Sequence, residues 1–392
     1  MSVVRPEERR PAQPSGSATV PLSDILVDEE IEQAVAATVR SGWWSMGPRV
    51  KEFEEEFARL CDAKAALAVA NGTAALHLAL LAVGCAPGDE VIVPSLNFVA
   101  AANTILHVGA TPVFCDIEGT HNLNLDVSDV AAAITPATRA VVVLHYGGHP
   151  CRIDAVLDLA AEHGIAVIED AAHAPGARWK GRACGTFGDV GCFSFFSNKN
   201  VPVGEGGMVV TNDEALAERI RLLRSHGMTS LTWDRHRGHA HSYDVVAHGF
   251  NYRLDEIRAA IGLVQLRRLA EHNAARAHLV ARYREALDGV AGIEMPFPPD
   301  ELSESANHLA VIVLPEGCSR NAFQAALAED GIQTSVHYPP IHGFSAYRAS
   351  GTRRPLPVTE MVASRLVSLP LYPHMSVGDA SMVAGAAVRA AS

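Results

Sequence analysis

Between Val69 and Thr211 the chain alternates short β-branched runs with amphipathic stretches, and this alternation restricts the fold more than any other feature. A strand joined through a helix to the next strand returns to the same sheet in parallel, so the pattern predicts a mostly parallel sheet covered by helices. Strand candidates are Ala65–Ala70, Glu90–Pro94, Pro112–Asp116, Ala140–His145, Ala166–Asp170, Gly191–Phe195 and Gly207–Thr211. Helices fit at Ala74–Val83, Val99–Val108, Val127–Ala133 and Ile153–His163. The last two strands follow each other closely, with a glycine-rich turn at Gly204–Gly207, which predicts an antiparallel member. The expectation is a large α/β lobe on a seven-stranded sheet.

After Arg253 a long helical stretch runs from Leu254 to near Asp288, with Leu263, Leu266, Leu269 and Val280 at near-helical spacing. Beyond it Leu309–Leu314 and Ile332–His337 read as strands, and Asn321–Glu329, Thr359–Leu366 and Val377–Ala390 as helices, which together make a smaller α+β lobe. Two lobes suit 392 residues, since single cores stop growing at ~250–300. The predicted division is a flexible tail at 1–20, a large domain at 21–253, and a connecting helix with a small C-terminal domain at 254–392. A formal charge of -12 gives no general attraction to nucleic acid or to an anionic membrane. The opening Met1–Ala18 has no apolar core of the signal-peptide type, no segment is long and apolar enough to span a bilayer, and the seven scattered cysteines never form CxxC. The chain reads as a cytoplasmic protein with reduced thiols.

Three constellations carry chemistry. Ala166-Val-Ile-Glu-Asp170 ends on a carboxylate where the strand leaves the sheet, the place at which open α/β sheets meet ligands; taken alone, Asp170 is equally a cap. Phe193-Ser-Phe-Phe-Ser-Asn-Lys199 sets a lysine just past an aromatic strand. Desolvation there lowers its pKa and frees the neutral amine that a covalent link to a carbonyl requires, although an ordinary loop lysine is the simpler reading of the residue by itself. Asn71-Gly72-Thr73 opens a helix after a strand, and its unpaired N–H groups make either a phosphate cup or a plain N-cap.

The strings NGTAALHLAL, GDEVIVPSLNFVAAANTI, GATPVFCDI, IEDAAHAPGA, GCFSFFSNKN, GEGGMVVTND and GFNYRLDEIRAAIGLVQL, in this order, closely resemble the DegT/DnrJ/EryC1/StrS aminotransferases. The resemblance runs from about Pro21 to the C-terminus. It implies the fold-type I architecture of enzymes that use pyridoxal 5'-phosphate (PLP), most of which act on nucleotide-linked keto sugars and some on aminocyclitols. It also implies that Lys199 holds the cofactor covalently, that Asp170 pairs with its pyridinium nitrogen, and that Phe98 stacks on its ring. Ser194 and the Gly72-Thr73 turn match phosphate ligands. Asn251 matches a residue that reaches the phosphate from a partner subunit, so a homodimer with shared active sites is implied. His173 stands near the cofactor's phenolic oxygen where many members carry Gln, and Asn97 stands where Thr is frequent; whether His173 stays neutral or titrates is open. Members that dehydrate sugars lack the lysine, so Lys199 points to amino transfer from an amino acid, with glutamate the expected donor. An aminocyclitol acceptor and a non-catalytic PLP-binding sensor are the alternatives.

Weaker signals remain. His236, His239 and His241 lie close together, but without helical spacing they read as a polar loop rather than a metal site, and no metal is expected. His337 and Tyr338, in Ser335-Val-His-Tyr-Pro-Pro-Ile-His342, match the segment that borders the sugar pocket and are substrate candidates, with ordinary strand-end packing as the alternative. The tandem Trp43-Trp44 is expected to be buried, in the core or against substrate. Glu169 and Asp170 are adjacent strand residues that point to opposite faces, so they do not share one site.

Overall fold

The computed structural model of the chain describes residues 20–230, 233, 242–347 and 354–392. A seven-stranded sheet forms from β1 (Ala65–Val69), β2 (Glu90–Pro94), β3 (Thr111–Cys115), β4 (Thr138–Leu144), β5 (Ala166–Asp170), β6 (Val190–Ser194) and β7 (Gly207–Thr211). Its order is β1-β7-β6-β5-β4-β2-β3. β7 pairs antiparallel with both neighbours and the remaining pairs are parallel, so the antiparallel member is the one expected from the glycine-rich turn. Side chains alternate between faces along each strand. Leu67, Val69, Val91, Val93, Val142 and Val209 meet helices α3 (Gly72–Ala82) and α4 (Ala100–His107) on one side. On the other, Ala66, Ala68, Phe193, Met208 and Val210 pack with Phe53 and Phe57, while Ile92, Val113, Val141, Val143 and Val167 meet Val130 of α5 (Val127–Ala133) and Ile153, Val156 and Ala160 of α6 (Ile153–His163).

α3 shows how burial replaces amphipathicity. Every residue from Ala74 to Leu80 is buried, as is Ala82, because the helix lies between the sheet and a further layer of helices. Asn71 caps its N-terminus, the side-chain oxygen accepting from the Ala74 N–H at 2.8 Å.

Among the described residues, three α-helices went unpredicted: α1 (Glu29–Arg40), α2 (Pro48–Cys61) and α7 (Glu214–Arg224). The long helix is α8, Glu256–Leu287, capped by Asp255. Against its C-terminal half packs the second lobe. There β8 (Ala310–Val313) and β9 (Leu366–Leu369) pair antiparallel beside α9 (Arg320–Glu329), α10 (Pro357–Arg365) and α11 (Val377–Ala391). Two expectations need correction. Ile332–His337 is not a strand: it makes single bridges, Ile332 to Val20 and Ser335 to Ser368, before Pro339-Pro340, which lack ladder donors, carry it away. The helix read through Leu366 stops at Arg365, because Leu366 turns to extended backbone and starts β9.

The tail lies outside the described residues except Val20, whose N–H donates to Gly331 O at 3.1 Å. Residues 20–22 thus pack on the second lobe. With that exception, we propose the division at Arg253 as a domain boundary, since Leu279, Tyr283, Leu287, Phe323 and Val383 form an apolar cluster of their own. Leu96 and Tyr146, just past β2 and β4, pack with Val311, Val313 and Val362, which seats the second lobe beyond the C-terminal strand ends.

Candidate active site

Beyond the C-terminal ends of β2, β4, β5 and β6 lies a cavity of ≈ 440 Å³. Gly72, Thr73, Phe98, Asp170, His173, Ser194, Lys199, His337 and Tyr338 all line it. Gly72, Phe98, Asp170 and Ser194 meet there because parallel strands put their C-terminal ends on one edge, and the second lobe adds His337 and Tyr338.

Asp170 is the last residue of β5 and is buried. One carboxylate oxygen accepts from the Ala172 N–H at 3.2 Å. Burial pushes its pKa up, opposed by that N–H and by the charge of Lys199. Its neighbour Glu169 faces the other way. There it accepts from the N–H groups of Gly185 (2.7 Å), Phe187 (2.7 Å) and Gly188 (2.8 Å) and sits 2.9 Å from His145 Nε2. Since His145 Nδ1 accepts from the Cys151 N–H, the Nε2 atom carries the proton and donates to Glu169. The pair is a buried brace behind the sheet and takes no part in the cavity.

Lys199 stands in the turn after β6, with its N–H donating to Phe196 O at 2.8 Å. It is half-buried at the cavity wall. The protein crowded around its amine lowers the pKa to about 8, against the opposing pull of Asp170. The turn is pinned by β7: a Cβ on Gly207 would lie 2.6 Å from the carbonyl carbon of Asn71, so only glycine lets β7 pass this close to the start of α3.

The same crowding shapes a cup at the start of α3. A Cβ on Gly72 would lie 2.9 Å from Ser194 Cβ, so the first turn of α3 and the Ser194 side chain share a space that glycine keeps open. N–H groups of that first turn point outward without helical partners. Ser194 Oγ accepts from the Phe196 N–H, which leaves its own proton to donate.

His173 Nδ1 accepts from the Gly147 N–H at 3.2 Å, and Nε2 lies 2.9 Å from the Tyr338 hydroxyl. A backbone N–H can only donate, so the imidazole is neutral with its proton on Nε2, the question the sequence left open. Burial and the charge of Lys199 hold its pKa well below the ordinary histidine value. His337 is pushed to about 4 by the same two causes, and its Nδ1 sits 2.8 Å from Ser368 Oγ.

PLP fits these residues on three observations. Phe98, 54% exposed, presents an uncovered aromatic face to the cavity. The Gly72 cup would be filled by any side chain. Asn97 Nδ2, buried at the cavity wall, has no hydrogen-bond partner. Asn251 does not line the cavity of its own chain; it is exposed and bridges to Ser225. The expected burial of the tandem tryptophans is overturned for Trp44, which is 54% exposed with its indole N–H on Val39 O, and neither ring lines the cavity. His236, His239 and His241 lie outside the described residues, among which no three side chains are grouped as metal ligands. Sequence reasoning missed His308, whose ring lies 4.5 Å from His173 and whose Nδ1 bonds Asn200 Oδ1 at 3.0 Å. It comes from the second lobe and carries no local motif.

Residues 26–388 match the DegT/DnrJ/EryC1/StrS aminotransferase family. The chain is 43% identical over 367 residues to the spore coat polysaccharide biosynthesis protein SpsC of Bacillus subtilis, covering 92% of this chain and 94% of that protein. Among solved structures it superposes on the sugar aminotransferase CalS13 from Micromonospora echinospora with a TM-score of 0.86 at 32% identity, over 95% of this chain and 100% of that one. The PLP form of Spr1654 from Streptococcus pneumoniae gives a TM-score of 0.88 at 28% identity, over 95% and 98% of the two chains.

Proposed function

This chain belongs to the DegT/DnrJ/EryC1/StrS aminotransferase family and is a PLP-dependent aminotransferase, and from that premise we propose that it carries an amino group from glutamate to the carbonyl carbon of a nucleotide-linked keto sugar. The observation that carries the reading is the enclosed Lys199 amine, lowered to about 8, facing the buried Asp170 in a cavity with an anion cup. SpsC's part in polysaccharide biosynthesis and the sugar aminotransferase CalS13 support a sugar as acceptor.

When bound, PLP supplies a carbonyl that condenses with amines and a ring that stabilises negative charge on the carbon beside the nitrogen. The residues proposed to hold it are Lys199 at that carbonyl, Asp170 at the ring nitrogen, Phe98 on the ring face, and Gly72, Thr73 and Ser194 at the phosphate. Asp170, ionised opposite a cation, keeps a proton on the ring nitrogen. With the cofactor bound, Lys199 Nζ would be the group that moves the proton between the α-carbon of the amino acid and the carbon on the other side of the nitrogen, and a pKa near neutrality suits both directions. His337, neutral and at the cavity wall, offers a hydrogen bond to sugar hydroxyls.

Among the described residues lining the cavity, Lys199 is the cation, and it is committed to the cofactor. The carboxylates of glutamate and the phosphates of a nucleotide need others. This supports a homodimer in which a partner subunit, with Asn251 at the phosphate, completes the site. The exposed apolar side chains of Trp44, Val245 and Val246 fit such burial. Among the described residues no helix is long and apolar enough to cross a membrane. Seven unpaired cysteines suit the reducing cytoplasm, the proposed compartment.

The test is direct. Visible absorption of the PLP-loaded protein should collapse on adding glutamate, and mass detection should find the amine of a nucleotide-linked keto sugar. Lys199→Ala should make no product. Amination of keto-inositols in place of keto sugars would refute the acceptor.

A further inference from the structure

The attachments proposed for PLP also orient its ring, and the role inferred here for Tyr338 rests on them. With the phosphate arm in the Gly72 cup, the ring nitrogen at Asp170 and the aldehyde carbon at Lys199, the phenolic oxygen falls beside the aldehyde carbon, on the ring edge away from the phosphate. The family resemblance sets His173 near that oxygen; Tyr338, bonded to His173 Nε2, and Asn97 line the same cavity.

Hydrogen-bond polarity decides between the first two. Both ring nitrogens of His173 are already used, Nδ1 by the Gly147 N–H and Nε2 by the Tyr338 hydroxyl. The backbone donor fixes Nδ1 as an acceptor, so Nε2–H donates and the Tyr338 oxygen accepts. The phenol's own proton then has no acceptor among the described residues and is left to the cavity that Tyr338 lines. The line runs one way: Gly147 N–H to His173, His173 N–H to Tyr338, Tyr338 O–H into the cavity. We propose that Tyr338, oriented by His173, donates the hydrogen bond to the phenolic oxygen of the bound cofactor, and that His173 is a positioning residue acting through it.

Packing holds the phenol in place. Tyr338 stacks on His173 at 5.9 Å with 27° between the rings and tilts against Phe98 at 5.7 Å. The preceding residue is tied down twice, His337 O accepting from the Tyr146 hydroxyl and His337 Nδ1 lying on Ser368 Oγ. Burial and the charge of Asp170 push the phenol's pKa up, so the donor keeps its proton throughout the working range. Tyr338 precedes α10 on a segment of the second lobe. The seating of that lobe therefore sets a hydrogen bond on the cofactor.

A donor at the phenolic oxygen stabilises its anionic form and lowers the pH at which the Lys199-linked cofactor loses its shared proton. The experiment is a pH titration of the visible absorption of the PLP-loaded protein. Tyr338→Phe removes one hydroxyl and keeps the stacked ring; the titration should move up by about one to two pH units, the equivalent of one hydrogen bond to a charged group. His173→Gln should shift it in the same direction, but should add nothing when built into Tyr338→Phe. A Tyr338→Phe titration within about 0.3 unit of the wild type, or a full further shift from His173→Gln in that background, overturns the proposal. A wild-type protein with no PLP band at all would overturn the site assignment itself, and that failure shows before any variant is made.

Discussion

Replacing Gly72 by alanine separates the anion cup from the fold. The new Cβ would stand 2.9 Å from Ser194 Cβ, 3.3 Å from its Oγ and 3.5 Å from its Cα. Oγ can swing aside, but Cβ and Cα are fixed to the backbone, so the relief must come from the strand end and the helix start parting. Ordinary carbon–carbon contact is ≈ 3.5–4.0 Å, which asks for a separation of about 0.5–1 Å. For stability two effects oppose: alanine favours the helix by about 1 kcal/mol over glycine, and the forced contact costs about 1–3 kcal/mol. The net change should stay within about 2 kcal/mol of zero. For the cofactor there is no offset, because the first-turn N–H groups and Ser194 Oγ lose their common focus. One hydrogen bond to a charged group is worth about 1.5–3 kcal/mol, so Kd for PLP should rise about 10- to 150-fold. Urea unfolding followed by circular dichroism measures the first quantity and titration of the apoprotein followed by visible absorption the second. A folded Gly72→Ala protein that binds PLP within about threefold of the wild type would refute the assignment of the cup.

PLP uptake by the apoprotein should follow the neutral amine of Lys199. Burial lowers its pKa to about 8, so the reactive form accumulates as pH rises and the stopped-flow rate should climb through a midpoint near there; a midpoint near the ordinary lysine value of about 10.4 would contradict the burial argument. Glu169→Gln puts an amide among donors, the Gly185, Phe187 and Gly188 N–H groups and His145 Nε2–H, and should lower stability by about 1.5–3 kcal/mol in urea unfolding. Because Glu169 faces away from the cavity, PLP affinity of the folded fraction should hold, and a loss of affinity at unchanged stability would refute the brace.

What the sequence makes legible is what local chemistry writes into consecutive residues. β2, β5 and β7 carry the bounds read from their β-branched runs, because both faces are buried and the apolar run itself marks the strand. Asp170 and Lys199 are readable as cavity residues because each stands where its strand leaves the sheet, a position the pattern itself marks. α1, α2 and α7 escaped because charged and polar residues interrupt their apolar positions; the buried residues of α1 and α2, Phe53 and Phe57 among them, gain meaning only when α8 lies across them. Ile332–His337 misled because a β-branched run looks alike whether it joins a ladder or crosses a cavity edge. The difference lay in partners more than thirty residues away, at Ser368.

The polarity of the Gly147–His173–Tyr338 line marks the deeper limit. A motif can name His173 as a neighbour of the cofactor, but which of its nitrogens holds the proton depends on a backbone N–H that follows β4 and a hydroxyl from the second lobe. Donor direction is a property of contacts, and contacts between lobes have no signature in either segment alone. The same reasoning explains Asn97: its Oδ1 is taken by the Phe98 N–H beside it, a local bond, while its Nδ2 has no partner among the described residues and turns to the cavity. Residues whose second hydrogen bond is missing in the protein alone are therefore where a bound group completes the fold's accounting. In this site Asn97 Nδ2 and the Tyr338 proton both stand on that list, and both residues line the cavity.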